Sequence, residues 1–128
     1  MIVVDTSVWI AALRSAVSDT SKALQELIDA DEVALAIPVR IELIAGASRK
    51  DRVPIRRALS ALPVLYPGNE TWSMIDEWIE QAAHAGERFG FGDLLIGALA
   101  AQHGALVWSL DTDFARMERL RLVARYDL

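Results

Sequence analysis

The sequence predicts an α/β fold with a mainly parallel central sheet and helices on both of its faces. Short apolar runs rich in β-branched residues alternate with stretches of helical periodicity along the chain, and this alternation is typical of parallel sheets. The short runs are apolar at nearly every position, as expected for strands that are buried on both sides. At 128 residues, the chain has the usual length of one domain. We therefore expect a single three-layer domain over residues 1–128.

The first half of the chain opens with a predicted strand at residues 2–4, which ends at Asp5. Thr6 and Ser7 then predict a capped turn before a helix at about residues 8–13. Ser18 and Asp19 are suitable caps for a second helix, with apolar residues at 23, 24, 27 and 28. The other elements predicted in this half are a buried strand at 33–37, a helix from Pro38 to about Gly46 and a helix at about 51–62.

The second half begins with a predicted strand at residues 64–66 and a turn at Pro67 and Gly68. A long helix is expected at about 70–88, and the glycines at 86, 90 and 92 indicate that the chain changes direction after it. The elements predicted beyond these glycines are a helix at 93–103 that stops at Gly104, a strand at 105–109, a helix at 112–120 and a final strand at 122–124.

Composition excludes several classes of protein. Apolar residues make up 53% of the chain, charged residues 24%, and the mean hydropathy is +0.25, values typical of a compact globular fold. The longest apolar stretch, residues 89–110, is interrupted by polar residues and glycines, so we expect no membrane span. Without cysteine, thiolate catalysis and cysteine-bound zinc are excluded. The sequence opens without a basic leader, and we expect a cytoplasmic protein.

The net charge of −5 would ordinarily count against a nucleic-acid partner. The cations nevertheless fall into two groups. These groups are either solvated, salt-bridged faces or a rim of phosphate contacts, and the sequence leaves both interpretations open. The first group comprises Arg49, Lys50, Arg52, Arg56 and Arg57, and the second Arg116, Arg119, Arg121 and Arg125.

Two acids directly follow predicted strands. Asp5 ends the first strand and Asp111 follows the strand at 105–109, and ligands of parallel sheets bind outside the carboxyl ends of the strands. For Asp5 the structural alternative is a helix cap, although Thr6 or Ser7 can serve in its place. Asp113 falls in the first turn of the next helix, where the macrodipole favours an anion, and this structural role is the preferred interpretation for it.

Two further acids lie in apolar helices. Glu42 stands between Ile41 and Leu43, and solvent exposure is its structural alternative. Asp93 begins a helix whose small and apolar residues at i+3, i+4, i+7 and i+8 share its face. A carboxylate on a buried face must cap the helix, find a cation or become protonated. Capping and metal binding both stay open for Asp93.

Carboxylates gathered at one cleft repel each other unless divalent cations hold them together. Mg²⁺ and Mn²⁺ suit oxygen ligands, whereas the histidines, His84 and His103, lack the spacing of a zinc motif and are expected to be structural or exposed. Such cations can activate water and stabilise the leaving oxygen in phosphodiester hydrolysis. The acids thus favour metal-dependent hydrolysis without a nucleophilic side chain.

These motifs resemble the PIN domain, and more narrowly the VapC toxins, over nearly the whole chain. The matching segments are residues 4–7 (Val-Asp-Thr-Ser), Glu42 on its apolar helix, residues 92–98 (Gly-Asp-Leu-Leu-Ile-Gly-Ala) and residues 111–114 (Asp-Thr-Asp-Phe). The resemblance implies a PIN-like three-layer fold. It implies a catalytic metal site of Asp5, Glu42, Asp93 and Asp111, supported by Thr6, Ser7 and Ser109, with Asp113 as a possible further member.

The same resemblance implies an Mg²⁺- or Mn²⁺-dependent ribonuclease that forms a homodimer. A small VapB-like antitoxin, whose tail enters the active-site groove, would hold it inactive. One position departs from the pattern, because many relatives have Thr where this chain has Ser109, although the hydroxyl is retained.

The main alternative is a non-catalytic PIN-like module that binds RNA or protein without cutting, and retention of the acids argues against it. An aspartyl-phosphate phosphatase would require an acid at position 7, where Ser7 stands. Trp72, Trp78 and Phe89 either line a partner interface or pack in the core, and core packing is the preferred interpretation.

Overall fold

A computed structural model describes residues 1–127 and contains a four-stranded sheet surrounded by helices. The strands are β1 Ile2–Val4, β2 Val33–Ala36, β3 Val64–Leu65 and β4 Leu106–Trp108. The helices are α1 Thr6–Arg14, α2 Asp19–Asp29, α3 Ile37–Gly46, α4 Arg49–Leu59, α5 Asn69–His84, α6 Phe91–Gln102 and α7 Thr112–Arg119.

The strand order is β3-β2-β1-β4, and every neighbouring pair is parallel. In the two central strands, β1 and β2, every residue is buried. Because consecutive side chains of a strand point to opposite faces, this pattern means that both faces of the sheet are covered. The predicted α/β class with a parallel sheet between layers of helices is confirmed.

The carboxyl ends of β1 and β4 lie side by side. We call this end of the sheet the strand edge. Val4 pairs in register with Trp108, and the amide of Asp5 donates a 2.8 Å hydrogen bond to the carbonyl of Trp108. Asp5 and Ser109 therefore leave the sheet at the same place. A ligand-binding site at the carboxyl ends of the strands would therefore include the position where Asp5 and Ser109 meet.

The predicted strand at residues 122–124 is wrong. In its place a single parallel bridge joins Val107 to Arg125, supported by hydrogen bonds from the Val107 amide to the carbonyl of Ala124 and from the Tyr126 amide to the carbonyl of Val107. Leu122 and Val123 are buried, so their apolar character reflects core packing rather than a strand.

Several predicted boundaries also differ. The helix expected at 70–88 ends at His84, because Gly86 adopts a left-handed conformation (φ +72°) and the amide of Glu87 turns back to the carbonyl of Ala82. The helix expected from 51 to 62 begins at Arg49, where the hydroxyl of Ser48 accepts a hydrogen bond from the amide of Asp51, and ends at Leu59. The strand expected at 33–37 ends at Ala36, since Ile37 already belongs to α3.

The aromatic residues divide between core and surface. Trp78 and Phe89 are buried, as expected. Trp72 is 43% exposed and stacks on the exposed ring of Phe91, with ring centroids 6.1 Å apart, so core packing was the wrong interpretation for Trp72. Within the part of the chain that the structure describes, no helix combines the length and apolar character needed to cross a membrane.

Candidate active site

Asp5 is a buried carboxylate at the strand edge. It follows β1 and is only 5% exposed. Although it occupies the N-cap position of α1, its side chain makes no capping hydrogen bond. The structural explanation that Asp5 caps the helix is therefore excluded, and its burial requires other partners.

Two serine hydroxyls supply those partners. Ser7 and Ser109 each donate a 2.7 Å hydrogen bond to the same oxygen of Asp5, Oδ2, and the two hydroxyl oxygens lie 3.3 Å apart. Backbone amides orient the hydroxyls in turn, since Leu110 N–H donates to Ser7 Oγ and Asp111 N–H donates to Ser109 Oγ. The second oxygen of Asp5, Oδ1, takes no part in this serine network.

Thr6 plays no comparable part in the described residues. Its Oγ1 is buried and has no hydrogen-bond partner there, in contrast to the serine at position 7. The expected support from Ser7 and Ser109 has a structural basis, whereas that from Thr6 does not.

A close group of three carboxylates lies where α6 and α7 begin. Asp93 is in the first turn of α6, Asp111 is the N-cap of α7 and Asp113 is in the first turn of α7. Each offers an oxygen atom such that the three atoms lie within 4.8 Å of one another. Asp111 also accepts a 3.0 Å hydrogen bond from the amide of Asp113. Capping and membership of the acidic group thus coexist at Asp111.

Electrostatics distinguish Asp93 within this group. Burial raises the pKa of Asp93 to about 7, and a hydrogen bond with Asp113 and the charges of Asp113, Asp5 and Asp111 act in the same direction. The pKa of Asp113 is lowered, chiefly by its hydrogen bond with Arg116. In the absence of a cation, the group therefore relieves its repulsion by retaining a proton on Asp93.

Glu42 stands apart from the close group. It is exposed on α3, which agrees with the solvent exposure given above as the structural alternative for this residue. A Cβ atom added at Gly92 would lie 3.4 Å from Glu42 Oε1, so the carboxyl group borders the first turn of α6, next to Asp93. Glu42 and Asp5 thus lie outside the close group of Asp93, Asp111 and Asp113.

Asp113 and Arg116 belong to the site more closely than the sequence indicated. Asp113 was given mainly a macrodipole role, yet it contacts Asp93 and joins the acidic group. Arg116, which was placed among the possible phosphate-binding cations, forms ion pairs with Asp113 and Glu87. The spacing of three between Asp113 and Arg116 was the available signal, since such residues are neighbours on a helix.

The donor set fits a hard divalent cation. Every group at the strand edge offers oxygen, and the histidines at 84 and 103 are exposed, as expected. Three carboxylates within 4.8 Å form the arrangement that Mg²⁺ or Mn²⁺ stabilises by neutralising their repulsion. Without the ion, burial and the neighbouring carboxylates together raise the pKa of Asp93.

Comparisons with known proteins identify the family of this chain. The family model of the PIN domain matches residues 2–120. Ribonuclease VapC11 of Mycobacterium tuberculosis is 30% identical over 125 residues, which cover 94% of this chain and 93% of that protein. VapC ribonuclease Mb1587 of Mycobacterium bovis shows the same identity and coverage.

The fold is shared with solved toxin–antitoxin structures. VapBC2 of Rickettsia felis, bound to a DNA fragment from its promoter, superposes with a TM-score of 0.81 at 17% identity over 100% of this chain and 99% of that one. The resemblance therefore spans sheet, helices and strand edge together. On the family model and the 30% identical relatives, the chain belongs to the PIN-domain family, among the VapC ribonucleases.

Proposed function

We propose that this protein is a metal-dependent ribonuclease that hydrolyses RNA phosphodiester bonds and is the toxin of a VapBC-type toxin–antitoxin pair. The observation that carries the proposal is the close group of Asp93, Asp111 and Asp113. It lies at the strand edge beside the buried Asp5, whose charge contributes to the raised pKa of Asp93. A related ribonuclease 30% identical over 94% of the chain supports the same chemistry.

We assign the catalytic and metal-binding roles to Asp5, Glu42, Asp93 and Asp111, within a single PIN-like domain. Asp113 joins them as a supporting ligand, and Ser7 and Ser109 support Asp5. Thr6 is the weakest of the proposed supporting residues, since its hydroxyl has no partner among residues 1–127. We propose Mg²⁺ or Mn²⁺ as the cofactor, because the site offers only oxygen ligands.

A divalent cation in such a site lowers the pKa of water and neutralises charge on the phosphate. The protein must prepare the carboxylates for that ion. Ser7 and Ser109 fix Asp5 through Oδ2 and leave Oδ1 for a ligand. Asp93 must release its proton when the ion binds, because its pKa is about 7.

Glu42 has a different setting, and we propose a further task for it besides metal binding. Its carboxyl group is exposed and borders Gly92, outside the closest acidic group. From there it can orient the attacking water or accept its proton, a role that requires access to solvent and substrate. To act as a general base, a carboxylate must lie within hydrogen-bond distance of the reacting water.

Partners follow from the same proposal. Several solved structures with this fold are VapBC complexes, such as VapBC-1 of nontypeable Haemophilus influenzae, with a TM-score of 0.79 at 19% identity. We propose RNA as the substrate, a small VapB-like antitoxin as the inhibitor, a homodimer as the assembly and the cytoplasm as the place of action.

The test is cleavage of a mixed cellular RNA pool by purified protein with Mg²⁺, Mn²⁺ or EDTA. Asp5→Asn and Asp93→Asn should each abolish metal-dependent cuts while the fold is preserved. Asp76→Asn, at an exposed position on α5, is the matched control and should cut like the wild type. Folded, antitoxin-free protein that binds RNA but never cuts it would favour the non-catalytic module instead.

A further inference from the structure

The guanidinium of Arg116 contacts both its own helix, α7, and the segment between α5 and α6. Its Nη2 donates a 2.6 Å hydrogen bond to Asp113 Oδ1, and its Nη1 pairs with the carboxylate of Glu87. The same Nη1 lies 3.5 Å from the carbonyl of Arg88. Its guanidinium carbon sits 4.7 Å from the centroid of the Phe89 ring. Arg116 thus ties α7 to the segment between α5 and α6.

These contacts engage the guanidinium on its edges and on one face. Its side chain is 27% exposed, compared with 42% for Arg125, which pairs with Glu118. A planar fork suits this arrangement, because it can hold carboxylates on different nitrogens while stacking on an aromatic ring. Both terminal nitrogens of Arg116 are therefore engaged by acceptors within the protein.

We propose that Arg116 is a positioning residue of the metal site, which holds the carboxylate of Asp113 beside Asp93 and Asp111 so that all three bind one divalent cation. This inference rests on the proposed function. It adds Arg116, which is not itself a proposed metal ligand, to the residues that form the site. The geometry supports it directly, since Asp113 contacts Arg116 and Asp93 at the same time. Groups that orient ligands in this way commonly contribute tenfold or more to metal affinity.

Arg116 can affect metal binding in two ways, by orienting Asp113 or through its own positive charge, which repels a metal ion. The test must distinguish these two effects. If charge compensation of the acids were the role of Arg116, lysine would replace it. If Arg116 merely competed with the metal, a neutral residue would tighten metal binding. Only a positioning role predicts that lysine and a neutral residue both weaken it.

The experiment is calorimetric titration of Mn²⁺ into the purified protein and its Arg116→Lys and Arg116→Met variants, without RNA. We expect both variants to bind Mn²⁺ about tenfold more weakly or worse. Methionine retains an apolar stem against Phe89, and lysine retains the charge. Wild-type affinity in the Lys variant, or tighter binding in the Met variant, would overturn the inference.

Arg125→Lys and Arg125→Met are matched controls, since they make the same two changes at the exposed ion pair with Glu118 and should leave Mn²⁺ affinity unchanged. If the Arg116 variants do not fold, Glu87→Ala decides. It releases Arg116 from the far side without touching the acids and should weaken Mn²⁺ binding severalfold, whereas unchanged affinity would refute the inference. Failure of the wild type itself to bind Mn²⁺ would overturn the proposed metal site, a result distinct from unchanged variants.

Discussion

The hydroxyl of Ser109 donates a 2.7 Å hydrogen bond to Asp5 Oδ2 across 104 positions of the sequence. The bond joins the residue after β4 to the residue after β1, and Ser7 donates to the same oxygen from the first turn of α1. A hydrogen bond to a charged group typically contributes about 1.5–3 kcal/mol. The pair therefore stabilises the fold and orients the carboxylate to which we assign a catalytic role.

Ser109→Ala should accordingly lower the free energy of unfolding by about 1–2 kcal/mol and RNA cleavage by about tenfold. The loss follows because the buried Asp5 keeps only the hydrogen bond from Ser7. Urea denaturation and initial cleavage rates measure the two effects. Ser109→Thr is the control, since it retains the hydroxyl and should cleave at nearly the wild-type rate. Equal activity of the Ala and Thr variants would contradict the orienting role.

Gly97 lets α6 pack closely against its neighbours. A Cβ atom there would lie 2.9 Å from Met117 Cε and 3.2 Å from both Trp78 Cζ3 and Val123 Cγ1. Overpacking typically costs about 1–3 kcal/mol, and the helix propensity of alanine returns roughly 1 kcal/mol. We therefore expect Gly97→Ala to lower the free energy of unfolding by about 1 kcal/mol, measured by urea denaturation.

Gly92→Ala is the matched control, because it makes the same change in the same helix. Its added Cβ meets only Glu42 Oε1, at an ordinary contact distance of 3.4 Å, so stability should be unchanged or slightly higher. If both alanine variants were equally stable, close packing at Gly97 would not be the reason for that glycine.

The sequence predicted elements well where local chemistry decides them. Neighbouring residues determine three such features: the Ser18 cap of α2, the short strand β1 and the end of α6 before a glycine. The strand expected at 122–124 failed for the opposite reason. Apolar residues that fill a core from an irregular segment have the same composition as a strand, so a short apolar run does not distinguish the two.

The same limit applies to the candidate site. Strand ends gave the positions of Asp5 and Asp111, because parallel strands bring their carboxyl ends together. The contact between Asp93 and Asp113 depends instead on how α6 and α7 pack, which no local pattern encodes. For that reason Asp113 and Arg116 were assigned weaker or different roles than their contacts support.

Helix α4 is rich in positive charge and lines part of a groove that also contains Glu42. It carries Arg49, Lys50, Arg52, Arg56 and Arg57 against a single acid, Asp51. A groove of about 410 Å³ is lined by Glu42 of α3 and by Asp51 and Ile55 of α4. If exposed cations on α4 bind RNA phosphates, each contact releases counterions and makes affinity depend on salt.

Arg56→Glu should therefore weaken RNA binding by about tenfold at low salt and reduce the slope of log affinity against log salt by roughly 0.7. Fluorescence anisotropy with a labelled single-stranded RNA and the inactive Asp93→Asn background measures both quantities. Lys22→Glu, an equal charge reversal on the exposed face of α2, is the control. Equal effects of the two reversals would indicate a response to net charge alone, and α4 would lose its special role.

The raised pKa of Asp93 predicts how stability without metal depends on pH. The pKa is about 7 in the folded protein against an ordinary value of 3.8, so the folded state binds the proton more tightly than the unfolded state between these values. The stability that this group contributes is fully present below about pH 4 and is lost as the pH rises through about 7. Near pH 8 the folded protein must hold Asp93 ionised among other carboxylates.

Asp93→Asn removes this titration. In EDTA the variant should match the wild type near pH 4 and exceed it near pH 8 by about 1 kcal/mol, or roughly 3–6 °C in Tm, after allowing for solvent screening of a half-buried group. Thermal melts followed by circular dichroism across this range measure the difference, and Asp76→Asn should show no such pH-dependent gap. Saturating Mn²⁺ should reverse the order near pH 8, because the wild type gains stability from a ligand that the variant binds poorly. A constant difference between variant and wild type at every pH would mean that Asp93 is not the group that holds the proton.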